Sequence, residues 1–449
     1  MTPTLDLDPA HLPEVVDARP DGSATLRFDA VSLRARPAVV VATRPGAGAP
    51  VVGATALGRS GRSWSVPTRD VAAAVELAVA LAADPDVVAA FPDVVLPKVR
   101  RSDDPERGAQ WYLDELDMEP LFAVTHGDPA VRVAVLDSGI DIAHPDLADG
   151  IADPYDAHDD DDDPSPNPGE YCGGGTAICD EHGTAVSGII GARVDNGVGI
   201  VGMCADCTIV PIKLLGEDGG AMSADIRAFE WAIDHDAWVV NNSWGFVEAT
   251  PVPGPLAEVI RRAATEGRGG LGMVVVFAAG NDDREVGDAE MQAMPEVVCV
   301  GAIDRYGNPT AYTNEGDTLD VAAPSATYSL APEGGYTGTF GGTSAASPVV
   351  AGLAGWILSV DPSLTAVEVR ELLVATAHKD PRVTFDADGH HPIYGYGIID
   401  PVAVLEALQP DEPEPETPKG CACDTPGHAP WGLVGTLVLV GLRRRRAFA

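Results

Sequence analysis

A carboxylate, an imidazole, a carboxamide and a hydroxyl stand in that order at the edges of apolar segments. Asp137 ends "VRVAVLD" and leads into the turn pair Ser138-Gly139. His182 and Gly183 open "HGTAVSGIIGA", Asn281 follows "MVVVFAAG", and Ser344 sits in "GGTSAASPVVAG". These are the groups that acyl transfer by serine requires. A hydroxyl is a weak nucleophile until an imidazole takes its proton, and a carboxylate fixes the imidazole tautomer and stabilises its cation. The developing oxyanion needs donors aimed at it. A serine at a helix N-terminus brings its own unpaired N–H in a favourable dipole, and the Asn281 amide offers a second donor. Each residue alone has an ordinary structural explanation, as a strand-end turn, a cap neighbour, a turn residue or an N-cap. Their joint order and placement carry the reading. Gly341, Gly342, Ala345 and Ala346 leave room for a substrate backbone and for close helix packing. Pro348 is expected in the first turn, where no N–H is needed, and Ser347 is expected to pack or cap. His144, His390 and His391 lack such a setting and read as turn or loop residues.

The elements that position these groups are legible from apolar patterning. "VRVAVLD", "TIVPIKLL", "AWVVNNSWG", "GMVVVFAAGN" and "EVVCVGAI" are short β-branched runs without alternation, so they read as strands buried on both faces. Helical stretches such as "SADIRAFEWAIDHD" and "GPLAEVIRRAATEG" lie between them. The expected class is α/β, a three-layer parallel sheet with helices on both faces, spanning about residues 105–408. Functional groups in such sheets collect past the carboxyl ends of the strands. Residues 1–104 read as a small α+β unit, with a helix over Val71 to Ala82 stopped by Asp84-Pro85, and then a strand or two in "DVVAAFPDVVLP". Residues 409–420 form a Pro- and acid-rich linker. Residues 421–449 form a cysteine-bearing tail with a short apolar stretch before Arg443–Arg446.

The formal net charge of −39 argues against nucleic-acid partners. Cys172, Cys179, Cys204 and Cys207 form two close pairs, which points to disulfides and an oxidising compartment, while Cys299 reads as a buried free thiol. No signal peptide is visible at the first residues, although export would need one.

The motifs "VLDSGID", "HGTAVSGIIGA", "AAGN" and "GTSAASPVVAG" resemble those of the subtilases, the subtilisin-like serine proteases, in that family's order of Asp, His, Ser. The resemblance covers about residues 105–408. It implies Asp137, His182 and Ser344 as a catalytic triad and Asn281 as oxyanion donor, with no organic cofactor. It implies a first specificity pocket walled by Ser243, Trp244 and Gly245 on one side and Ala278, Ala279 and Gly280 on the other. An aromatic at 244 is found in convertase-like members, which implies a basic substrate residue, to be tested with an arginyl peptide series. It also implies calcium held by Asp146, Asn196, Val198, Ile200 and Gln110, and the acidic run Asp159–Asp163 is a second cation candidate, weighed against a solvated loop. The N-terminal unit resembles a propeptide that assists folding and inhibits until cleaved. The tail resembles a Myxo-type C-terminal sorting signal, which implies export, trimming by a processing enzyme near Cys421 or Cys423, and attachment at the cell surface. The expected function is a secreted or surface-anchored serine endopeptidase acting on proteins or peptides. The alternatives are a catalytically silent surface binding module, which a serine-directed fluorophosphonate would leave unlabelled, and a peptide transferase or ligase, which product analysis with an added amine would reveal.

Overall fold

Strands buried on both faces need a layer on each side, and that is what the computed structural model contains. It describes residues 13–409, apart from short stretches within the first 62 residues and residues 95–101, 167–180 and 217–218. The linker beyond residue 409, the sorting tail, and Cys172 and Cys179 lie outside the described residues.

The N-terminal unit is α+β, as expected. Strands β1 (Glu14–Val16), β2 (Ala24–Arg27), β3 (Ser32–Thr43), β4 (Thr55–Ala56), β5 (Ser63–Pro67) and β6 (Val87–Val94) form one antiparallel sheet. Helix α1 (Val71–Ala82) begins at Asp70, whose side chain accepts from Ala73 N, and it buries Val71, Ala74, Val75, Ala78 and Leu81. That stripe is the spacing that marks the segment as a helix.

The larger unit starts with two short helices, α2 (Trp111–Glu115) and α3 (Glu119–Phe122). Its sheet has the order β13-β12-β11-β10-β7-β9-β8. The strands are β7 (Arg132–Asp137), β8 (Tyr155–Asp156), β9 (Thr208–Lys213), β10 (Val239–Asn242), β11 (Val274–Ala278), β12 (Val297–Ile303) and β13 (Val321–Pro324), and all neighbours are parallel. The five runs expected as strands are all present, and β8 and β13 add to them. Helices α4 (His182–Gly191) and α7 (Thr343–Val360) cover one face over a core that includes Val133, Val135, Ile189 and Val350. Helices α5 (Met222–Asp234) and α6 (Gly254–Gly270, leaving helical geometry at Gly267) cover the other, over Ala134, Leu136, Phe229 and Ile260. Alternate residues of β7 thus serve opposite layers. A hairpin, β14 (Thr327–Ala331) and β15 (Gly335–Phe340), lies over α4, and α8 (Ala366–Thr376) and α9 (Pro401–Leu408) complete the unit. Helix α7 is the one helix among the described residues long and apolar enough to cross a membrane, and 83% of that length is buried inside the protein.

The Asp104 carboxylate accepts from the N–H groups of Asp195, Asn196 and Gly197 at 2.9 to 3.2 Å. Three backbone donors thus tie Asp104 to the larger unit. Cys204 and Cys207 form a disulfide, packed against Gly127 and Gly355. Cys299 is buried and free, and burial raises its thiol pKa well above the ordinary value.

Candidate active site

Sheet register gathers the polar residues at one edge. Leu136, Asn242 and Phe277 are cross-strand partners, so Asp137, Ser243 and Ala278 form the next row, at the carboxyl ends of three central strands. Asp137 is fully buried. Its Oδ1 accepts from Ser138 N and lies 2.7 Å from His182 Nδ1. Its Oδ2 is buried without a partner among the described residues. His182 is the first residue of α4. Gly183 follows it because a Cβ there would come within 2.3 Å of Gly139 O; only glycine lets the helix start against the Asp137 turn. Burial alone would lower the His182 pKa, but the Asp137 charge, its hydrogen bond and nearby Glu181 outweigh that and raise it. The Phe340 ring stands edge-on to the imidazole, with centroids 5.3 Å apart.

Ser344 is the second residue of α7, so its N–H precedes the intrahelical ladder. Its hydroxyl donates to Ser243 O at 3.1 Å. It makes no hydrogen bond to His182 in this arrangement, and one side-chain rotation is needed before the imidazole can take its proton. Catalytic hydrogen bonds are often made only once substrate is bound.

Asn281 is held in one orientation. Its Oδ1 accepts from Thr343 N at 2.8 Å and Thr343 Oγ1 at 3.1 Å. That leaves the Nδ2 hydrogens for the cleft. Gly342, with φ of 75°, permits this contact: a Cβ there would lie 3.2 Å from Asn281 Nδ2. Thr343 was not singled out in the sequence, although it directly precedes Ser344.

Pro348 corrects one expectation. It is the sixth residue of α7, inside the helix and beyond the first turn. Lacking an N–H, it leaves Ser344 O without its intrahelical donor. The Ser243 hydroxyl takes that place, donating to Ser344 O at 3.1 Å. Ser347 Oγ is 2.8 Å from Ser243 Oγ, and Asn241 Nδ2 donates to Ser243 Oγ at 2.9 Å. Ser347 is thus a buried link in a network that holds the first turn of α7. Ser243, expected as a pocket wall, is also part of this support.

A cavity of about 290 Å³ is lined by Ser243, Trp244 and Gly245 on one side, by Ala278, Ala279 and Gly280 on the other, and by Asn281 and Ser344 at its edge.

The expected calcium ligands gather only in part. Asp146 is fully buried and accepts from Asn196 Nδ2 and Ile200 N, both at 2.8 Å. Val198 N donates to Asn196 Oδ1 at 2.7 Å. Gln110 is turned away: its Oε1 accepts from Val201 N, and its Nε2 donates to Val201 O. Both Asp146 oxygens and Asn196 Oδ1 thus accept hydrogen bonds, and Val198 and Ile200 present N–H groups rather than carbonyls to them, so a cation here would have to displace these contacts, whereas Gln110 serves as a backbone clamp. His144, read as a turn residue, accepts from Asp146 N through Nδ1. In the acidic run, Asp161 and Asp163 accept from nearby backbone N–H groups, and Asp160 accepts from Tyr155.

A solved protease from Pseudoalteromonas arctica PAMC 21717 superposes with a TM-score of 0.58 at 28% identity, over 69% of this chain and all of that one. The Aeromonas sobria serine protease, solved with its chaperone, shares the fold, with a TM-score of 0.60 at 20% identity over 70% of this chain and 69% of that one. A calcium-dependent protease of Nostoc sp. (strain PCC 7120) is 28% identical over 68% of this chain and 52% of its own length. Subtilisin E of Bacillus subtilis (strain 168) is 31% identical over 62% of this chain and 66% of its own. The chain therefore spans about half the length of the first relative and somewhat under two thirds of the second. The subtilase family model matches residues 128–397, a span that carries all four motif residues, and the chain belongs to the subtilase family.

Proposed function

We propose that this chain is a serine endopeptidase that hydrolyses peptide bonds through an acyl-enzyme. The observation that carries this is the buried Asp137 carboxylate 2.7 Å from His182 Nδ1, beside a helix start that presents the Ser344 hydroxyl and N–H. Ser344 attacks the scissile carbonyl after turning from Ser243 O. His182 takes its proton and passes it to the leaving amine. Asp137 holds the tautomer and stabilises the imidazolium. Asn281 Nδ2 and Ser344 N–H hold the oxyanion. The substrate enters as an extended segment with one side chain in the cavity between residues 243–245 and 278–280.

The N-terminal α+β unit acts as a propeptide, cleaved upstream of Asp104, which is already docked. Export and tail-based attachment at the surface belong to the same proposal. A calcium ion at Asp146 and Asn196 would act as a stabiliser, in keeping with the name of the Nostoc relative; no catalytic step runs through it.

Labelling tests the core of this reading. A fluorophosphonate is expected to modify the wild type at Ser344 and to leave S344A unmodified, with peptide hydrolysis lost in step. Wild type that is neither labelled nor active points instead to a silent binding module. Mass spectrometry of the two ends of the exported protein tests propeptide removal and tail trimming.

A further inference from the structure

The cavity beside Ser344 contains a polar group that acyl transfer does not use. Gln292 lines it, from a single-turn helix, Met291–Ala293, just before β12. It is only 6% exposed, and its carboxamide makes no hydrogen bond to a described residue. The amide faces the cavity and has no partner among the described residues, so a ligand group that replaces its water can pair with it. The amide has a defined place against the opposite wall: a Cβ on Gly245 would stand 2.8 Å from Gln292 Nε2. Glycine at 245 is what leaves this space.

One guanidinium nearby serves two carboxylates. Arg284 pairs with both oxygens of Glu290, at 2.7 and 2.8 Å, and its Nε lies 3.7 Å from Asp282. An anionic substrate side chain entering here would lose hydration and meet a net negative surround, and a cationic one would lose hydration and have to compete with Arg284 for both carboxylates. A neutral side chain with both a donor and an acceptor has no such penalty.

We infer that Gln292 makes the primary pocket selective for a carboxamide side chain, glutamine above all, on the acyl side of the scissile bond. The two amides pair head to tail, each giving an N–H and accepting one. The methylenes of the substrate residue lie against Trp244 and the Ala278–Ala279 wall. This inference rests on the endopeptidase reading and names the substrate class of its pocket; it differs from the basic residue implied by an aromatic at 244.

The test uses the full chain, titrated with a fluorophosphonate so that rates refer to folded enzyme. Four quenched-fluorescence peptides differ only in the residue before the scissile bond: Gln, Met, Leu or Arg. Wild type is expected to cleave the Gln peptide with kcat/KM about 10- to 100-fold above its near-isostere Met, because Met displaces water from the Gln292 amide without replacing its hydrogen bonds. Q292M and Q292E are each expected to lose that ratio. Equal rates for Gln and Met, a faster Arg peptide, a Gln preference that survives both substitutions, or no cleavage of any of the four overturns the inference. Casein hydrolysis measured in parallel separates the two readings. If casein is cleaved, the endopeptidase reading stands without this pocket preference; if it is not, that reading falls as well.

Discussion

Replacing Asn281 tests whether a fixed amide serves the oxyanion. Its Oδ1 is held by two donors of Thr343, at 2.8 and 3.1 Å, so N281A removes a donor whose direction is preset. Loss of one such donor costs about 2.7–4 kcal/mol of transition-state stabilisation, a range drawn from a member of this family, or about 10²- to 10³-fold in kcat. KM should hardly change, since the interaction strengthens only as charge develops. T343V removes one of the two clamps and keeps the backbone N–H. At about 1 kcal/mol for a hydrogen bond, it should cost roughly 5-fold in kcat. Thr343 Oγ1 also accepts from Gly280 N, so T343V should lower the melting temperature as well. The double variant decides the matter. If Thr343 acts through Asn281, T343V in the N281A background should leave kcat nearly unchanged. The assay is initial-rate kinetics on one peptide with titrated enzyme. A fall of less than about 3-fold for N281A, or a T343V penalty of equal size in both backgrounds, refutes the reasoning.

Four further outcomes are expected. S243A leaves Ser344 O and Ser347 Oγ without their shared partner, so denaturant melts should show a loss of about 1–3 kcal/mol, accompanied by a drop in kcat; unchanged values would mean that water replaces the hydroxyl. The acid limb of kcat/KM should lie above the ordinary histidine range, because the net effect of burial and the Asp137 charge raises the His182 pKa and only the neutral ring acts as base. D137N should shift that limb to lower pH, and an unmoved limb assigns it to another group. Asp225 is 4% exposed with burial alone raising its pKa to about 6. Its folded pKa lies above the unfolded one, so its stabilising contribution is complete below about pH 4 and is lost as pH rises through about 6; D225N should flatten that slope, by at most about 3 kcal/mol, and equal slopes in both proteins would refute this. Excess calcium over chelator should raise the melting temperature of wild type but not of D146N, and identical melts would remove calcium from the proposal.

The layers of this protein were readable because burial leaves its mark on local sequence. Val71 to Ala82 shows its helix through apolar spacing and a Pro stop, and β7, β9, β10, β11 and β12 show as runs without alternation. The hairpin β14–β15 left a weaker signal. Its turn uses Glu333 and Gly334, both at positive φ, and the flanking "EGG" could have marked it. Phe340, at its end, touches His182 only because the hairpin folds over α4. Strands β8 and β13 are too short for periodicity to show.

Sequence alone singled out the groups proposed to react: a carboxylate, an imidazole, an amide and a hydroxyl, each at the end of an element whose type is locally encoded. Tertiary structure decided their support. Thr343 fixes Asn281, Ser243 fills the acceptor that Pro348 frees, Gly183 admits the helix to the Asp137 turn, and Gln110 turns to Val201 rather than towards Asp146. Elements are set by spacing within a few residues, whereas these contacts join residues tens to a hundred positions apart. Only packing brings such pairs within hydrogen-bond reach.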